Sequence, residues 1–209
     1  MVYRDGEGYL VELWDVPGSA GAGRLAGRDV APAAVGSPSG FVGPDGTAVA
    51  LFRGDDRHIH PLSWAGTGST GHDARSQSCE APEDDGDPSG YVLAGITHVF
   101  YRTADGHIEE LWWPGVEAVS HGHITGYCDE PLAAGDPQGY PVTTTAQNIV
   151  LYRGVDGHVH SLYWSDGPTG HDNLSGYCGS PLAAVVRQAG RPDASSAAAT
   201  LSPARAAKG

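Results

Sequence analysis

The chain predicts an all-β fold: a β-propeller of four repeats, each about 49 residues long and four-stranded, in an incomplete or open ring. Three observations carry this expectation. One hairpin-like sentence is written four times, the copies are evenly spaced, and glycine and proline punctuate the copies at recurring places. The clearest copy is Tyr101-Arg102-Thr103-Ala104-Asp105-Gly106-His107-Ile108-Glu109-Glu110-Leu111-Trp112-Trp113. Asp-Gly supplies residues that tolerate positive φ in a hairpin turn, and the flanks are rich in β-branched and aromatic side chains. Tyr3-Arg4 to Trp14, Phe52-Arg53 to Trp64 and Tyr152-Arg153 to Trp164 repeat it. The aromatic-Arg pairs start at 3, 52, 101 and 152, so the spacings are 49, 49 and 51, a period typical of propellers and solenoids.

Each repeat reads as four segments. An apolar strand ends in aromatic-Arg, as in His98-Val99-Phe100-Tyr101, and a second strand follows the Asp-Gly turn. A third segment carries a Gly-His or Ser-His step (Gly71-His72, Ser120-His121, Gly170-His171) and runs to Cys-x-x-Pro. The fourth is Gly-x-Pro-x-Gly-aromatic, from Gly36 to Phe41, Gly86 to Tyr91 and Gly135 to Tyr140. Side chains alternate along a strand, so Ile108, Glu110 and Trp112 face one way and Glu109, Leu111 and Trp113 the other. Apolar residues recur on both sides, as a sheet covered on both faces requires. Blades are expected near 2–48, 49–97, 98–148 and 149–184, within a propeller region 1–187. Only three Gly-x-Pro-x-Gly-aromatic segments are present, and 188–209, rich in Ala, Pro and Ser without an aromatic, reads as a disordered tail. The first repeat is the least faithful; Asp29 stands where the others carry cysteine.

Composition narrows the partners. The 209 residues carry a net charge of -13, and Lys208 is the one lysine. An acidic surface repels phosphate, so neither nucleic acid nor an anionic membrane is an expected partner. No apolar run is long enough to cross a bilayer, and Met-Val-Tyr-Arg enters the first repeat at once, which reads as a soluble chain with no signal peptide and an unassigned compartment. Cys79, Cys128 and Cys178 recur in register. Rotation about an axis keeps such positions too far apart to bond, so free, buried thiols are expected.

The hairpin, with aromatic-Arg before it and Gly-Asp-Pro-x-Gly-Tyr after it, resembles the blade repeat of the fungal-type fucose-specific lectins and of bacterial proteins with like repeats. The resemblance covers residues 2 to about 184. It implies clefts between blades that bind glycans, fucosylated ones among them, and a site pairing an arginine with a glutamate twelve residues later, plus aromatics from a blade and its neighbour. Glu110 and, by register, Glu12 match the glutamate; the arginine position is His98, Val49 or Ile149 in repeats 3, 2 and 4. Pro61 and Ser161 replace the glutamate in repeats 2 and 4.

A sugar site needs a flat aromatic face for the apolar side of a pyranose and fixed polar groups for its hydroxyls. The expected binding residues are Glu12, Trp14, His98, Glu110, Trp112 and Trp113, in a module without catalytic residues, metal or cofactor. The same aromatics would serve a structural or protein-binding propeller simply by packing its blades. His58-x-His60 and His158-x-His160 have a spacing that can hold a transition metal, but the pattern fails in repeats 1 and 3, so incidental histidines are the preferred reading. Acids mostly recur in turns; Asp84 and Asp85 read as a solvated loop, which leaves no carboxylate pair for hydrolysis. A missing strand is also expected to favour a homo-oligomer that completes the ring.

Overall fold

The repeated hairpin becomes the middle of each sheet. A computed structural model describes residues 1–16, 18–25, 31–65, 71–115, 118–126, 130–184 and 186. The first sheet holds three strands, β1 (Val2–Arg4), β2 (Leu10–Val16) and β3 (Ser19–Arg24). The second runs β4 (Ala34–Val42), β5 (Ala48–Gly54), β6 (Ile59–Trp64) and β7 (Gly71–His72). The third runs β8 (Ser89–Leu93), β9 (Ile96–Arg102), β10 (Ile108–Pro114) and β11 (Ser120–His123). The fourth runs β12 (Gln138–Val142), β13 (Gln147–Arg153), β14 (Val159–Trp164) and β15 (Gly170–Asn173). All neighbours pair antiparallel, and two one-turn helices, α1 (Arg75–Ser78) and α2 (Leu174–Tyr177), follow β7 and β15. The strands β4, β8 and β12 lie against one another in order, so the sheets fan out as the blades of a propeller.

The phase of the sheets differs from the blade bounds expected from the sequence. Each Gly-x-Pro-x-Gly-aromatic segment pairs with the aromatic-Arg strand that follows it, as Tyr91 does with His98 and Tyr140 with Ile149. It therefore opens its own blade as the inner strand, and the seam falls before it. The aromatic-Arg spacing sets the period but not the point at which hydrogen bonding passes from one sheet to the next. Cys128, Asp29 and the tail 188–209 lie outside the described residues. Cys79 is free and half-buried; Cys178 is free but exposed, against the expectation of burial, because it caps α2 on the surface.

The hairpin turns use one left-handed residue each. Gly8, Gly106 and Gly157 have φ of 85, 88 and 80°, and Gly106 N–H donates to Thr103 C=O (3.0 Å) while Thr103 N–H donates to His107 C=O (2.9 Å). This is a type I turn closed by a left-handed glycine, so the aspartate before it stays in ordinary φ space and accepts from the N–H two residues on. In the second sheet Arg57 occupies that place with φ of 62°, a conformation that costs a residue with Cβ about 1 kcal/mol.

Three apolar layers fill the three seams. Leu10, Phe52, Leu62 and Trp64 lie between the first and second sheets. Phe41, Leu51, Ile59, Val99, Tyr101, Leu111 and Trp113 lie between the second and third. Tyr91, Phe100, Ile108, Val150, Tyr152 and Leu162 lie between the third and fourth. Close approach at the inner strands depends on glycine. A Cβ on Gly139 would stand 2.5 Å from Phe100 Cδ2, and one on Gly90 would stand 2.6 Å from Leu51 Cδ1. The second glycine of Gly-x-Pro-x-Gly-aromatic is thus where the preceding blade presses on backbone.

Two outcomes follow. Gly139→Ala is expected to lower unfolding free energy by about 1–3 kcal/mol through overpacking, read as a lower urea midpoint. Arg57→Gly is expected to raise it by no more than about 0.5 kcal/mol, since relief of the left-handed strain is largely offset by glycine's extra chain entropy and the loss of an exposed Arg57–Glu83 pair.

Candidate functional site

β10 carries different side chains into two seams. Ile108, Glu110 and Trp112 face the fourth sheet, whereas Leu111 and Trp113 face the second. On the first of these faces the pairing register places His98 opposite both Trp112 and Tyr91. His98 Nδ1 lies 2.6 Å from Glu110 Oε1. An ionised carboxylate can only accept, so Nδ1–H donates. Tyr91 Oη–H donates to Asn148 Oδ1 across the seam (2.8 Å), and its ring lies 5.5 Å from that of His98. Burial, then the Glu110 charge, push the Tyr91 hydroxyl far above its ordinary pKa, so it remains a donor.

These groups line a cleft of about 330 Å³ between the third and fourth sheets. Leu93, Ile96, His98, Glu110 and Trp112 form one wall, and Asn148, Trp164, Ser165 and Asp166 form the other. Trp112 is half-buried, one edge of its indole set 3.6 Å from where a Cβ of Gly122 would lie. Trp14 and Tyr163 hold the equivalent places in their sheets and lie even closer to Gly21 and Gly170, where a Cβ would come within 2.5 Å of each ring. Glycine on the outer strand leaves room for each aromatic to approach the backbone.

The expected site residues therefore separate. His98, Glu110 and Trp112 come together. Glu12 and Trp14 form the corresponding pair on the first sheet, half-buried and 39% exposed respectively. Trp113 does not join Glu110: it is 6% exposed on the opposite face of β10, beneath the Arg75 guanidinium at 5.2 Å. Strand alternation separates neighbours in sequence, so Trp112 and Trp113 cannot share a wall. Asn148, Trp164 and Asp166 were missed. The signal was present in the repeat, because Trp164 is the counterpart of Trp113 and each cleft borrows that tryptophan from the next blade.

A second cleft of about 340 Å³ opens between the second and third sheets. There Val49, Pro61 and Ser63 replace His98, Glu110 and Trp112, and Thr97 and Trp113 form the far wall. Its charged groups are Asp45, Asp73 and Arg75, the last two joined at 2.9 Å. The chemistry repeated in shape is not repeated in side chains.

The histidine pairs have other work. His58 and His158 meet Ser76 and Ser175 hydroxyls at 3.2 and 3.0 Å. The histidines two residues on form chains: Asp56 to His60 Nε2 (2.9 Å), then His60 Nδ1 to His72 Nε2 (3.0 Å); and Asp156 to His160 Nε2 (3.0 Å), then His160 Nδ1 to His171 Nε2 (2.9 Å). In the third sheet Glu109, fully buried, takes the place of His60 and contacts His121 and His123. Burial pushes its carboxyl up while those imidazoles pull it back. Among the described residues no group of three or more His, Cys, Asp or Glu side chains is placed to hold a metal ion.

Asp84 corrects the expectation of a solvated loop. It is 1% exposed, because its backbone bridges to Thr103 and draws the side chain inward, with Arg53 Nε 3.6 Å away. Burial pushes its carboxyl up to about 7. Asp85 is exposed, as expected. Asp84 lines neither of the two clefts, so it is a buried acid within the scaffold.

A fan of antiparallel sheets, three of them four-stranded, with clefts at its seams is a β-propeller. Solved structures of that type match this chain along most of its length. AofleA from Arthrobotrys oligospora is 11% identical with a TM-score of 0.63, covering 82% of this chain and 51% of that one. The BP39L lectin from Burkholderia pseudomallei is 13% identical with a TM-score of 0.59, covering 82% and 49%. The fucose-specific lectin from Aleuria aurantia is 14% identical with a TM-score of 0.57, covering 80% and 52%. The chain spans about half the length of these structures, and at such identities the likeness is one of fold. No family model and no curated protein matches the sequence.

The histidine chains set a pH response of the scaffold. Burial, then the charge of His60 or His160, hold His72 and His171 below the ordinary histidine value. The folded state disfavours their protonation, so stability is complete above about pH 6.5 and is eroded as pH falls from there through the folded values. Thermal melts are expected to show a lower Tm at pH 5.5 than at pH 8, with a smaller difference in the His72→Gln/His171→Gln double variant.

Proposed function

We propose that the chain is a non-catalytic carbohydrate-binding module whose principal site is the cleft between the third and fourth sheets. The observation that carries this reading is one wall of that cleft: the half-buried Trp112 ring beside the His98–Glu110 pair. An indole offers the apolar side of a pyranose a flat surface, and a fixed charge-bearing pair offers its hydroxyls directed partners. Asn148 spends its carbonyl on Tyr91 and keeps its NH2 donors for a ligand. A cleft of about 330 Å³ suits one or two sugar rings.

The solved structures similar in fold support the same class. The Aleuria aurantia protein is named as fucose-specific, and the SapL1 lectin, 14% identical with a TM-score of 0.57, is described in complex with α-methyl fucoside. Fucosylated glycans are accordingly the first ligands to test. Binding without chemistry fits a cleft in which Glu110 is engaged by an imidazole and which the buried acid Asp84 does not line.

A glycan array probed with the purified chain is expected to give signal on a restricted set of neutral glycans. Trp112→Ala is expected to weaken the strongest of these about tenfold or more, with the melting curve unchanged. Silence of the wild-type protein across the array would overturn the carbohydrate reading.

A further inference from the structure

The His98–Glu110 pair has a consequence for ligand binding that depends on which ring nitrogen is engaged. Nδ1–H is held by Glu110 at 2.6 Å. Nε2 has no hydrogen-bond partner among the described residues, and His98 lines the cleft. With Nδ1 protonated, a neutral imidazole presents only a lone pair at Nε2; a protonated one presents an N–H donor there. The two forms therefore ask opposite things of the same ligand hydroxyl.

No lysine or arginine lines this cleft among the described residues, so His98 is its one source of positive charge. The charged or titratable groups facing it are Glu110 on β10, Tyr91 on β8 and Asp166 beyond β14 across the cleft. Tyr91 stays protonated and is engaged with Asn148. Trp112, Trp164, Ser165 and Asn148 do not titrate in this range. His98 is thus the one basic side chain on the cleft wall among the described residues.

We propose that His98 makes ligand binding in this cleft pH-dependent, favouring a neutral sugar whose hydroxyl accepts from protonated Nε2 while Glu110, held by Nδ1–H, accepts from a neighbouring hydroxyl. The proposal rests on the carbohydrate reading and adds to it a proton taken up from solvent with the ligand. A hydrogen bond from a cation is stronger than one between neutral groups, and the protonated form also pairs with Glu110 as an ion pair. The cleft between the second and third sheets has Val49 and Pro61 in these places and so lacks this imidazole–carboxylate pair.

The test is calorimetric titration with α-methyl fucoside and with the methyl glycosides of galactose, mannose and glucose, at pH 5.5 and pH 8.0. Wild-type protein is expected to bind its preferred glycoside about five- to tenfold more tightly at pH 5.5. His98→Arg, a permanent cation, and His98→Gln, never one, are each expected to bind with nearly equal affinity at the two pH values, the glutamine variant more weakly. Circular dichroism at both pH values checks that the fold persists. Wild-type binding of equal strength at pH 5.5 and 8.0 would overturn the proposal and leave the carbohydrate reading standing. The same pH dependence in His98→Arg would also overturn it by placing the titrating group elsewhere. Failure of the wild type to bind any of the four glycosides or any arrayed glycan at either pH would overturn both.

Discussion

The distance between neighbouring blades is set where a side chain meets backbone with nothing between. Phe100 presses on Gly139 and Leu51 presses on Gly90, so inner strands approach more closely than two pleated faces with Cβ atoms on both sides could. Farther out, large side chains such as Trp113 and Trp164 stand between the sheets. A seam pinched at the axis and wedged apart at the rim must open outward. The clefts are the geometric result of that taper, not separate constructions.

The two faces of each blade then come under different demands. The face turned toward the preceding blade supplies the wedge: Phe52, Leu62 and Trp64; Tyr101, Leu111 and Trp113; Tyr152, Leu162 and Trp164. These sets scarcely vary in chemistry because each must fill the same space. The face turned toward the following blade packs through Phe41, Leu51 and Ile59 or Tyr91, Phe100 and Ile108. Where it meets the clefts the repeat diverges, to Val49, Pro61 and Ser63 in one and His98, Glu110 and Trp112 in the next.

Much of this was legible in the sequence because a strand has a period of two and a blade a period near 49. Those two rhythms suffice to place Leu111 in one layer and Ile108 in another, and to put His98, Glu110 and Trp112 on one wall. They do not say where one sheet ends, since hydrogen bonding passes without a break in the motif from Arg102 to the inner strand before it. Nor do they reveal Asp84, whose burial depends on a backbone bridge to Thr103 nineteen residues away. Asn148 and Trp164 were hidden for a different reason. A cleft is made by residues about 50 positions apart, and no local pattern relates them; only superposing the repeats, Trp113 on Trp164 and Thr97 on Asn148, would have shown that the wall opposite Trp112 comes from the next copy.

Repetition in a propeller invites the idea of many equal sites whose weak affinities multiply. The side chains argue for a narrower arrangement. Multivalency requires sites that take the same ligand, and the two clefts differ along one whole wall: an imidazole against an isopropyl group, a carboxylate against a proline ring, an indole against a hydroxymethyl. Trp113, whose counterpart Trp164 is half-buried in the richer cleft, is covered in the poorer one by Arg75. A ligand that stacks on Trp112 and bonds to His98 and Glu110 finds none of these partners one blade earlier. Between these two clefts the repeat has kept the scaffold and let the side chains part company, while the first sheet keeps a carboxylate and an indole, Glu12 and Trp14, at the places of Glu110 and Trp112.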